Sequence, residues 1–518
     1  MAEDKLPTRA EDFAEWYNQL VVRSDLADYA PVRGCMVVKP YGWALWENIT
    51  SWLDAEFKKT GHVNAAFPTL IPLSFFEKEK EHVEGFAPEL AVVTHGGGEE
   101  LEEKLVVRPT SETIIGHMYA KWVKSWRDLP ILIVQWGSVL RWEIRTKLFL
   151  RTAEFYWHEG HTAHASREEA LEETYRILDI YEKIYVEEAA IPVIKGTKSE
   201  SERFAGAQIT TSVEAMMWDK RALQAGTSHY FGTNFAKAFD IQFLNRENTL
   251  QYAETTSWAI SSRMIGAIIM VHGDDQGLVL PPRLAPIQAV VVPIFKNDDE
   301  KSKVLNVADR VFAELKAAGI RVKMDDRDNV SSGFKFNDWE MRGVPVRVEI
   351  GPKDVEKGSV ALARRDKPGR EGKTFVSQAY LASTVNALLV DIQASLLKRA
   401  TEYRDANIHE PKDYEDLKRI VADGWAYSYW CESRECEAKV KEETKATTRN
   451  IPVEQPDQEG TCIVRQTLQT QSIFRESVLK TTCPCEEPES RRGNLLQRDC
   501  LVRMKTTLAM IISTYARH

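Results

Sequence analysis

The sequence predicts three folded units in series: an α+β N-terminal unit, an α/β unit with a partly parallel sheet, and a small cysteine-bearing C-terminal unit. Three observations carry this. At 518 residues the chain exceeds one core, since ~100–200 residues per domain give three or four. Near residue 287 the texture changes from apolar strands with isolated helices to strands alternating regularly with helices. Six of the seven cysteines lie after position 430.

Taken in order, residues 10–20 and 41–59 place apolar residues at helical spacing. NAAFPTLIPLSFF then reads as a buried strand broken by Pro68 and Pro72. Between 101 and 165 short apolar strands alternate with charged turns, and GHMYAKWVKSWRDL reads as helical. Residues 166–190 form an amphipathic helix, with Ser166 as N-cap and Glu169 completing a capping box. Strands resume around 206–283, with one helix at SSRMIGAIIMVHG. From 287, IQAVVVPIF is a continuous β-branched run, followed by helix, strand, helix and the strand VPVRVEIGP, the pattern of an α/β domain. A charged helix (LLKRATEYRDANIHE) leads to the cysteine-bearing tail.

Composition narrows the function classes. With 43% hydrophobic and 28% charged residues the chain reads as globular. A formal net charge of −9 argues against a nonspecific polyanion binder while allowing a local basic groove. No apolar run of ~18 residues stands out, so no membrane partner is expected. The acidic, amphipathic N-terminus lacks the features of a signal peptide. An odd cysteine count and a cysteine-free centre argue against a disulfide scaffold, and favour a reducing cytoplasm with a C-terminal metal site. Cys35 reads as a reduced, semi-buried thiol.

The densest chemistry lies between 105 and 283. In VLRWEIRTKLFLRTAEFYWHEGHTAHA, Arg141 and Glu143 stand two apart and so face one side of a strand. A basic loop follows, and the chain returns with Arg151, Glu154 and Phe155. A guanidinium clamps a phosphate in a fork, a carboxylate accepts an amino proton, and an aromatic face stacks on a base, so the set suits a nucleotide. An isolated Arg-x-Glu is usually a cross-strand salt bridge; its neighbours decide. Later, GLVLPPRLAPIQ reads as a glycine-led strand delivering Arg283 behind two prolines. Neither G-x-x-x-x-G-K-[ST] nor G-x-G-x-x-G is present, so the common phosphate cradles are absent.

The Pro68 strand, the Arg-x-Glu loop with its returning arginine and phenylalanine, and the glycine-to-arginine strand resemble motifs 1, 2 and 3 of class II aminoacyl-tRNA synthetases. RPTSET (108–113), WHEGHTAHA (157–165), FAGA (204–207), QAGTSHYFG (224–232) and GDDQGLVLPPRLAP (273–286) are similar to the prolyl-tRNA synthetases of archaeal and eukaryotic type, over about residues 1–464. The resemblance implies an α+β class II catalytic domain at 1–286, an antiparallel sheet with helices. It also implies an α/β anticodon-binding domain at 287–400 and a small α/β zinc-type domain at 401–464.

It further implies site residues. Arg141 would hold the ATP α-phosphate, and Arg151 and Arg283 the outer phosphates, so that Arg141 and Arg283 carry the catalytic charge stabilisation. Glu143 would meet the adenine edge and Phe155 stack on the base, with Thr152, Gln224, Thr227 and Arg263 on the ATP side. Thr110 and Glu112 resemble residues receiving the proline imino group, Arg141 borders the same site, and Trp157, Glu159, His161, Phe204 and His229 resemble the proline pocket. ATP with Mg²⁺, L-proline and tRNA(Pro) are the implied cofactor and partners, with a homodimer as the family's usual state. Two departures from the family pattern stand out: Ala259 where relatives carry glycine, and a motif 2 loop (IRTKLF) without the usual proline. The bacterial type's editing insertion between motifs 2 and 3 is absent. Rival readings are a class II enzyme for another amino acid, such as threonine or glycine, and a non-catalytic RNA-binding paralogue.

In GFKFNDWEMRGVPVRVEIGPKDVEKG, Lys335, Phe336, Glu340, Arg342, Arg347 and Lys353 interleave basic and aromatic side chains, which suits unstacked bases. Glu340, Arg347 and Lys353 are the expected anticodon contacts. Cys431, Cys436 and Cys462 resemble three ligands of the family's zinc site, but position 465, where the fourth is expected, is Arg. From Arg465 the resemblance stops. Residues 465–480 can be encoded so that skipping one base yields Gly-Lys-Pro-Ser-Lys-Pro-Lys-Ala-Ser-Phe-Ala-Lys-Ala-Tyr and a stop, the family's ending. Residues 465–518 therefore read as an atypical, frameshifted tail. A competing reading has Cys483 and Cys485 completing the zinc site.

Overall fold

The computed structural model describes residues 5–80, 90–143, 145–456, 460–465 and 508–514. Its centre is a long sheet in which five neighbouring antiparallel strands carry the catalytic unit: Ile209–Met216, Ala222–Gly232, Glu254–Ser261, Glu154–His164 and Ile131–Leu140. The short strand Val63–Asn64 adds parallel to Ile131–Leu140 at one edge. At the other edge Val193–Thr197 pairs with Ile209–Met216.

The helix Arg167–Lys183 lies against this sheet. It begins where the sequence places it: the Ser166 hydroxyl accepts the Glu169 amide at 3.3 Å. The Glu169 carboxylate reaches back one residue further than a capping box would have it, to the Ala165 amide at 3.2 Å. Ile177, Leu178, Ile180 and Tyr181 of this helix, Met264, Ile265, Ile268 and Ile269 of Arg263–His272, and Trp16, Tyr17 and Leu20 of Phe13–Arg23 are buried in one continuous core. Gly160 is obligatory here, since a Cβ would sit 2.2 Å from the Trp258 ring on the adjacent strand.

Three local readings change. The segment read as one strand around Pro68 is a two-residue strand, a short strand Leu70–Pro72 and a helix Leu73–Lys80, because Pro72 ends the ladder and pre-sets the turn into the helix. The helix near Tyr119 starts earlier, spanning Glu112–Trp122. GLVLPP is not a strand. Leu278 and Leu280 donate their amides to the carbonyls of Met341 and Gly343 at 3.0 and 3.2 Å, so the segment straps the catalytic unit to the next one. Gly277 (φ +142°) and Gly343 (φ +69°) permit the close approach, since a Cβ on either would fall within 2.6 Å of the opposing chain.

The second unit has the expected partly parallel sheet. Val322–Met324, Ala289–Pro293 and Val346–Ile350 run parallel, and Ser359–Arg364 and Lys373–Ser377 continue it antiparallel. Helices Asp298–Ala317 and Leu381–Asp405 contribute Val304, Val311, Leu315, Leu381, Val385, Ile392 and Leu396 to its core. The stretch Gln378–Asp405 is long and apolar enough to cross a membrane by length and composition, with a mean hydropathy of 1.3 over an 18-residue window, which the sequence reading overlooked. Its buried leucines and valines are those of a core helix.

The C-terminal unit is not a separate body. Its strand Ala446–Pro452 pairs with Val193–Thr197, so its sheet extends the catalytic sheet. Trp425–Trp430, with Leu508–Thr514 between it and Ala446–Pro452, completes that extension. Cys483 and Cys485 lie outside the described residues.

Candidate active site

The period-2 geometry of four neighbouring strands builds the site. Trp157, Glu159 and His161 alternate along Glu154–His164 and face the same side. Register places Ser261, Ala259 and Ser257 opposite them, Thr227 opposite Ala259, His229 opposite Ser257, and Thr210 opposite His229. The result is a cavity of about 220 Å³ whose lining includes Thr110, Glu112, Arg141 and Arg263.

One end of the cavity is anionic. Glu112 opens the helix Glu112–Trp122, accepts a short hydrogen bond from the Thr110 hydroxyl, and accepts from Ser257 Oγ at 3.3 Å. Glu159 is buried and receives Ser111 Oγ at 2.5 Å, the Ser111 amide at 3.1 Å and Gln135 Nε2 at 2.9 Å. His161 Nε2 stands 3.2 Å from the same carboxylate. Burial alone would raise the Glu159 carboxyl, but hydrogen bonding and charge from His161, with Ser111 and Gln135, hold it below the usual range. Burial opposes the protonated form of His161 as well, yet the hydrogen bond to Glu159 and the charges of Glu112 and Glu159 raise it. Burial and then the neighbouring His161 push His229 down to about 3, so it is neutral. Its Nδ1 lies 3.0 Å from Thr210 Oγ1 and its ring 4.6 Å from that of Phe204.

The other end is cationic. Arg141 follows the strand Ile131–Leu140 and donates through Nε to the Pro109 carbonyl at 3.0 Å. Its guanidinium carbon lies 5.4 Å from the ring centroids of both Phe155 and Trp157. Arg263 heads the helix Arg263–His272 and is oriented by Nε donating to the Leu150 carbonyl at 3.1 Å. A compact cavity with a carboxylate at one end, arginines at the other and aromatic walls suits a small zwitterion joined to a polyanion.

Of the residues singled out from sequence, Thr110, Glu112, Arg141, Phe155, Trp157, Glu159, His161, Phe204, Gln224, Thr227, His229 and Arg263 line this cavity. Glu143, Arg151 and Thr152 do not. Arg151 Nε donates to Glu143 Oε2 at 2.5 Å in the adjoining loop, and the Thr152 hydroxyl donates to the Glu154 carbonyl at 2.6 Å. Arg283 does not line the cavity either. Lying on the interdomain strap rather than on a strand, it is absent from the cavity lining, and its Nη1 donates to Glu188 Oε1 at 2.9 Å. Arg321 ties down that strap by donating to the carbonyls of Pro282, Arg283 and Ala285. The strand-to-arginine element at the cavity is instead Glu254–Ser261 leading to Arg263. Sequence reasoning also missed Glu202, Thr210, Ser257 and Ser261; the last two follow from carrying the two-residue period of Trp157, Glu159 and His161 across the ladder.

Comparison with known proteins identifies the family. The class II tRNA synthetase core domain (G, H, P, S and T) matches residues 93–272, an anticodon binding domain matches 288–379, and the prolyl-tRNA synthetase C-terminal domain matches 414–472. A proline–tRNA ligase of Roseiflexus sp. (strain RS-1) is 56% identical over 476 residues, 92% of this chain and 99% of that one. The chain belongs to the proline–tRNA ligase family. Similar family members are the Chloroflexus aggregans ligase, 56% identical over 89% of this chain and 97% of its own length, and the chloroplastic/mitochondrial ligase of Arabidopsis thaliana, 54% identical over 88% and 85%.

Two further groups singled out from the sequence lie outside the cavity. In the anticodon-binding domain, Arg347 Nη1 donates to Glu340 Oε1 at 2.8 Å and stacks 4.1 Å from the Phe336 ring, while Lys353 is exposed on Pro352–Lys357. Two neighbours the sequence grouped with them are likewise engaged by the protein, as Arg347 also is by Glu349 at 2.9 Å. Lys335 is buried with Nζ on the Asp325 carbonyl at 3.0 Å, and Arg342 pairs with Asp25 at 2.6 Å and Asp338 at 3.2 Å. In the C-terminal domain the sulfurs of Cys431, Cys436 and Cys462 lie within 4.8 Å of one another, and those of Cys431 and Cys436 are 3.5 Å apart. Burial and the hydrogen bond to Cys431 push the Cys436 thiol up to about 12. Arg465 is held beside the cluster by Glu435 at 2.7 Å and Ser433 at 3.0 Å. Three gathered sulfurs fit the larger part of a tetrahedral thiolate site, and Arg465 supplies no fourth donor.

Proposed function

We propose that the cavity binds L-proline with its imino group at Glu112 and Thr110 and its carboxylate toward Arg141, and joins it to ATP. The observation that carries this reading is the polarity of one compact cavity: carboxylate and hydroxyl at one end, Arg141 and Arg263 at the other, aromatic walls between. Trp157, Phe204 and the neutral His229 would enclose the pyrrolidine ring, and Glu159 with His161 would fix the floor. Arg141 would meet the α-phosphate and Arg263 the outer phosphates, with Gln224 and Thr227 beside the nucleotide, Phe155 against the base, and Arg151, Glu143 and Thr152 closing from the adjoining loop.

The chemistry requires no protein nucleophile. A proline carboxylate oxygen attacks the α-phosphorus, the bond to the bridging oxygen breaks, and pyrophosphate departs with that electron pair. The 2′- or 3′-hydroxyl of the terminal adenosine of tRNA(Pro) then attacks the prolyl carbonyl, its proton passes to the departing phosphate, and AMP leaves. Orientation and preorganised positive charge lower the barrier. Among the described cavity residues the carboxylates of Glu112, Glu159 and Glu202 are already engaged by protein donors, so the donor set suits a cation carried on the ATP phosphates. Mg²⁺ supplies charge neutralisation there when bound.

The anticodon-binding domain would read tRNA(Pro) through Glu340, Arg347 and Lys353. Cys431, Cys436 and Cys462 would hold Zn²⁺ as three of four ligands. Residues 465–518 are proposed to be out of frame with the family ending, although the match to the family's C-terminal domain runs on to residue 472. A homodimer through the N-terminal region, the family's usual state, would be tested by sedimentation. A tRNA substrate and a reduced thiol cluster support the cytoplasm as its location. The activity itself is tested by aminoacylation: the chain should load proline onto tRNA(Pro), and Glu112→Gln should raise the KM for proline by about tenfold or more. An unchanged KM would contradict the placement of the imino group.

A further inference from the structure

Residues 198–207 carry Glu202 and Phe204 to the cavity, and the C-terminal domain supplies what holds this segment. Lys198 Nζ donates to the Arg449 carbonyl at 2.5 Å and to Glu214 at 2.5 Å, and the Arg449 guanidinium closes on the other Glu214 oxygen at 2.8 Å. Ser199 Oγ donates to Glu437 Oε1 at 2.6 Å, with both residues buried. Glu200 accepts Arg434 at 2.7 Å, and Glu202 accepts Lys441 Nζ at 3.1 Å. Arg434, Glu437 and Lys441 stand at i, i+3 and i+7, one face of the helix Arg434–Thr444. The same helix contributes Cys436 to the sulfur cluster.

We propose that Glu437 and Lys441 are positioning residues for the amino-acid end of the active site, acting through Ser199 and Glu202. The proposal rests on the proline-activating reading of the cavity. Downstream of these anchors the Phe204 amide donates to Thr210 Oγ1 at 3.0 Å, and Thr210 in turn meets His229. Displacing the segment therefore opens the wall formed by Phe204 and His229. Arg141 and Arg263 lie on other elements and keep their anchors at Pro109 and Leu150. The C-terminal domain thus sets affinity for the amino acid and leaves affinity for ATP alone.

The test is ATP–pyrophosphate exchange on the full chain, with the KM for proline and the KM for ATP measured separately. Glu437→Ala should raise the KM for proline roughly tenfold, the size of a lost buried charge-assisted hydrogen bond, with the KM for ATP within about twofold. Glu437→Gln, whose amide oxygen still accepts from Ser199, should restore it. Lys441→Ala, at a half-exposed pair that the fold does not need, should raise the KM for proline about threefold. Parallel changes in both KM values, or an unchanged KM for proline in Glu437→Ala and Lys441→Ala, would overturn the positioning role. Absence of proline-dependent exchange in the parent chain would instead overturn the reading beneath it.

Discussion

Arg263 and Arg283 are both arginines that follow a glycine-rich or serine-rich apolar run, and only the fold separates them. One heads a helix whose first turn borders the cavity; the other sits on a strap fixed by Arg321 and paired to Glu188. Arg263→Ala should therefore cut exchange by about 100-fold or more, the scale of one lost charge-stabilising donor. Arg283→Ala should change it by no more than about threefold, as expected for a half-exposed ion pair. Steady-state exchange on both variants checks this, and the opposite ranking would contradict the assignment. Arg141→Ala should abolish proline-dependent exchange with the melting temperature unchanged; near-normal exchange would remove Arg141 from its role. Twelve of the cavity residues were legible because ordered motifs mark them. Ser257 and Ser261 were not, since a serine on a strand carries no signal until its register opposite His161 and Trp157 is known.

At the scale of elements, the stretch between the strand bearing Trp157 and the helix headed by Arg263 holds the helix Arg167–Lys183, the sheet strands Val193–Thr197, Ile209–Met216, Ala222–Gly232 and Glu254–Ser261, and a short helix Asn234–Phe239 followed by a separate hairpin, Gln242–Leu244 with Leu250–Tyr252. The sequence reading finds no editing insertion in that stretch. A hydrophobic pocket discriminates by only ~1–3 kcal/mol per methylene, so alanine should be measurably activated and Ala-tRNA(Pro) should persist. Rapid hydrolysis of Ala-tRNA(Pro) by the purified chain would contradict this. The order of helices and strands was readable from periodicity, and the α/β unit from its alternation of β-branched runs with amphipathic helices. The strap was misread because a glycine-led apolar run looks the same whether it pairs in a sheet or crosses between domains. What decides is the backbone of Met341 and Gly343, some 60 residues away. The helix Leu73–Lys80 was missed because Pro72 serves equally as strand terminator and helix starter.

Across the whole molecule one sheet joins the catalytic and C-terminal units, a continuity no local pattern reveals because it rests on two residue pairs between Val193–Thr197 and Ala446–Pro452. Buried histidines are spread through this body. Burial drives His158, His229 and His272 down to about 3 and His164 down to about 4, from an ordinary value of 6.5. Each is neutral when folded and takes a proton when unfolded below pH ~6.5. Their contribution to stability is therefore complete above that pH and is lost as pH falls toward 3–4. Melting temperature should drop steadily from pH 7 to pH 4. His272→Gln, which keeps a donor for the Ala189 carbonyl, should make that slope shallower by about one proton. An unchanged slope would place the acid sensitivity elsewhere. The account as a whole stands on the identity of the small zwitterion in the cavity. ATP–pyrophosphate exchange measured with each amino acid in turn tests it most directly: exchange should depend on proline, with alanine a weak second, whereas preference for another amino acid, or no exchange with any, would contradict it.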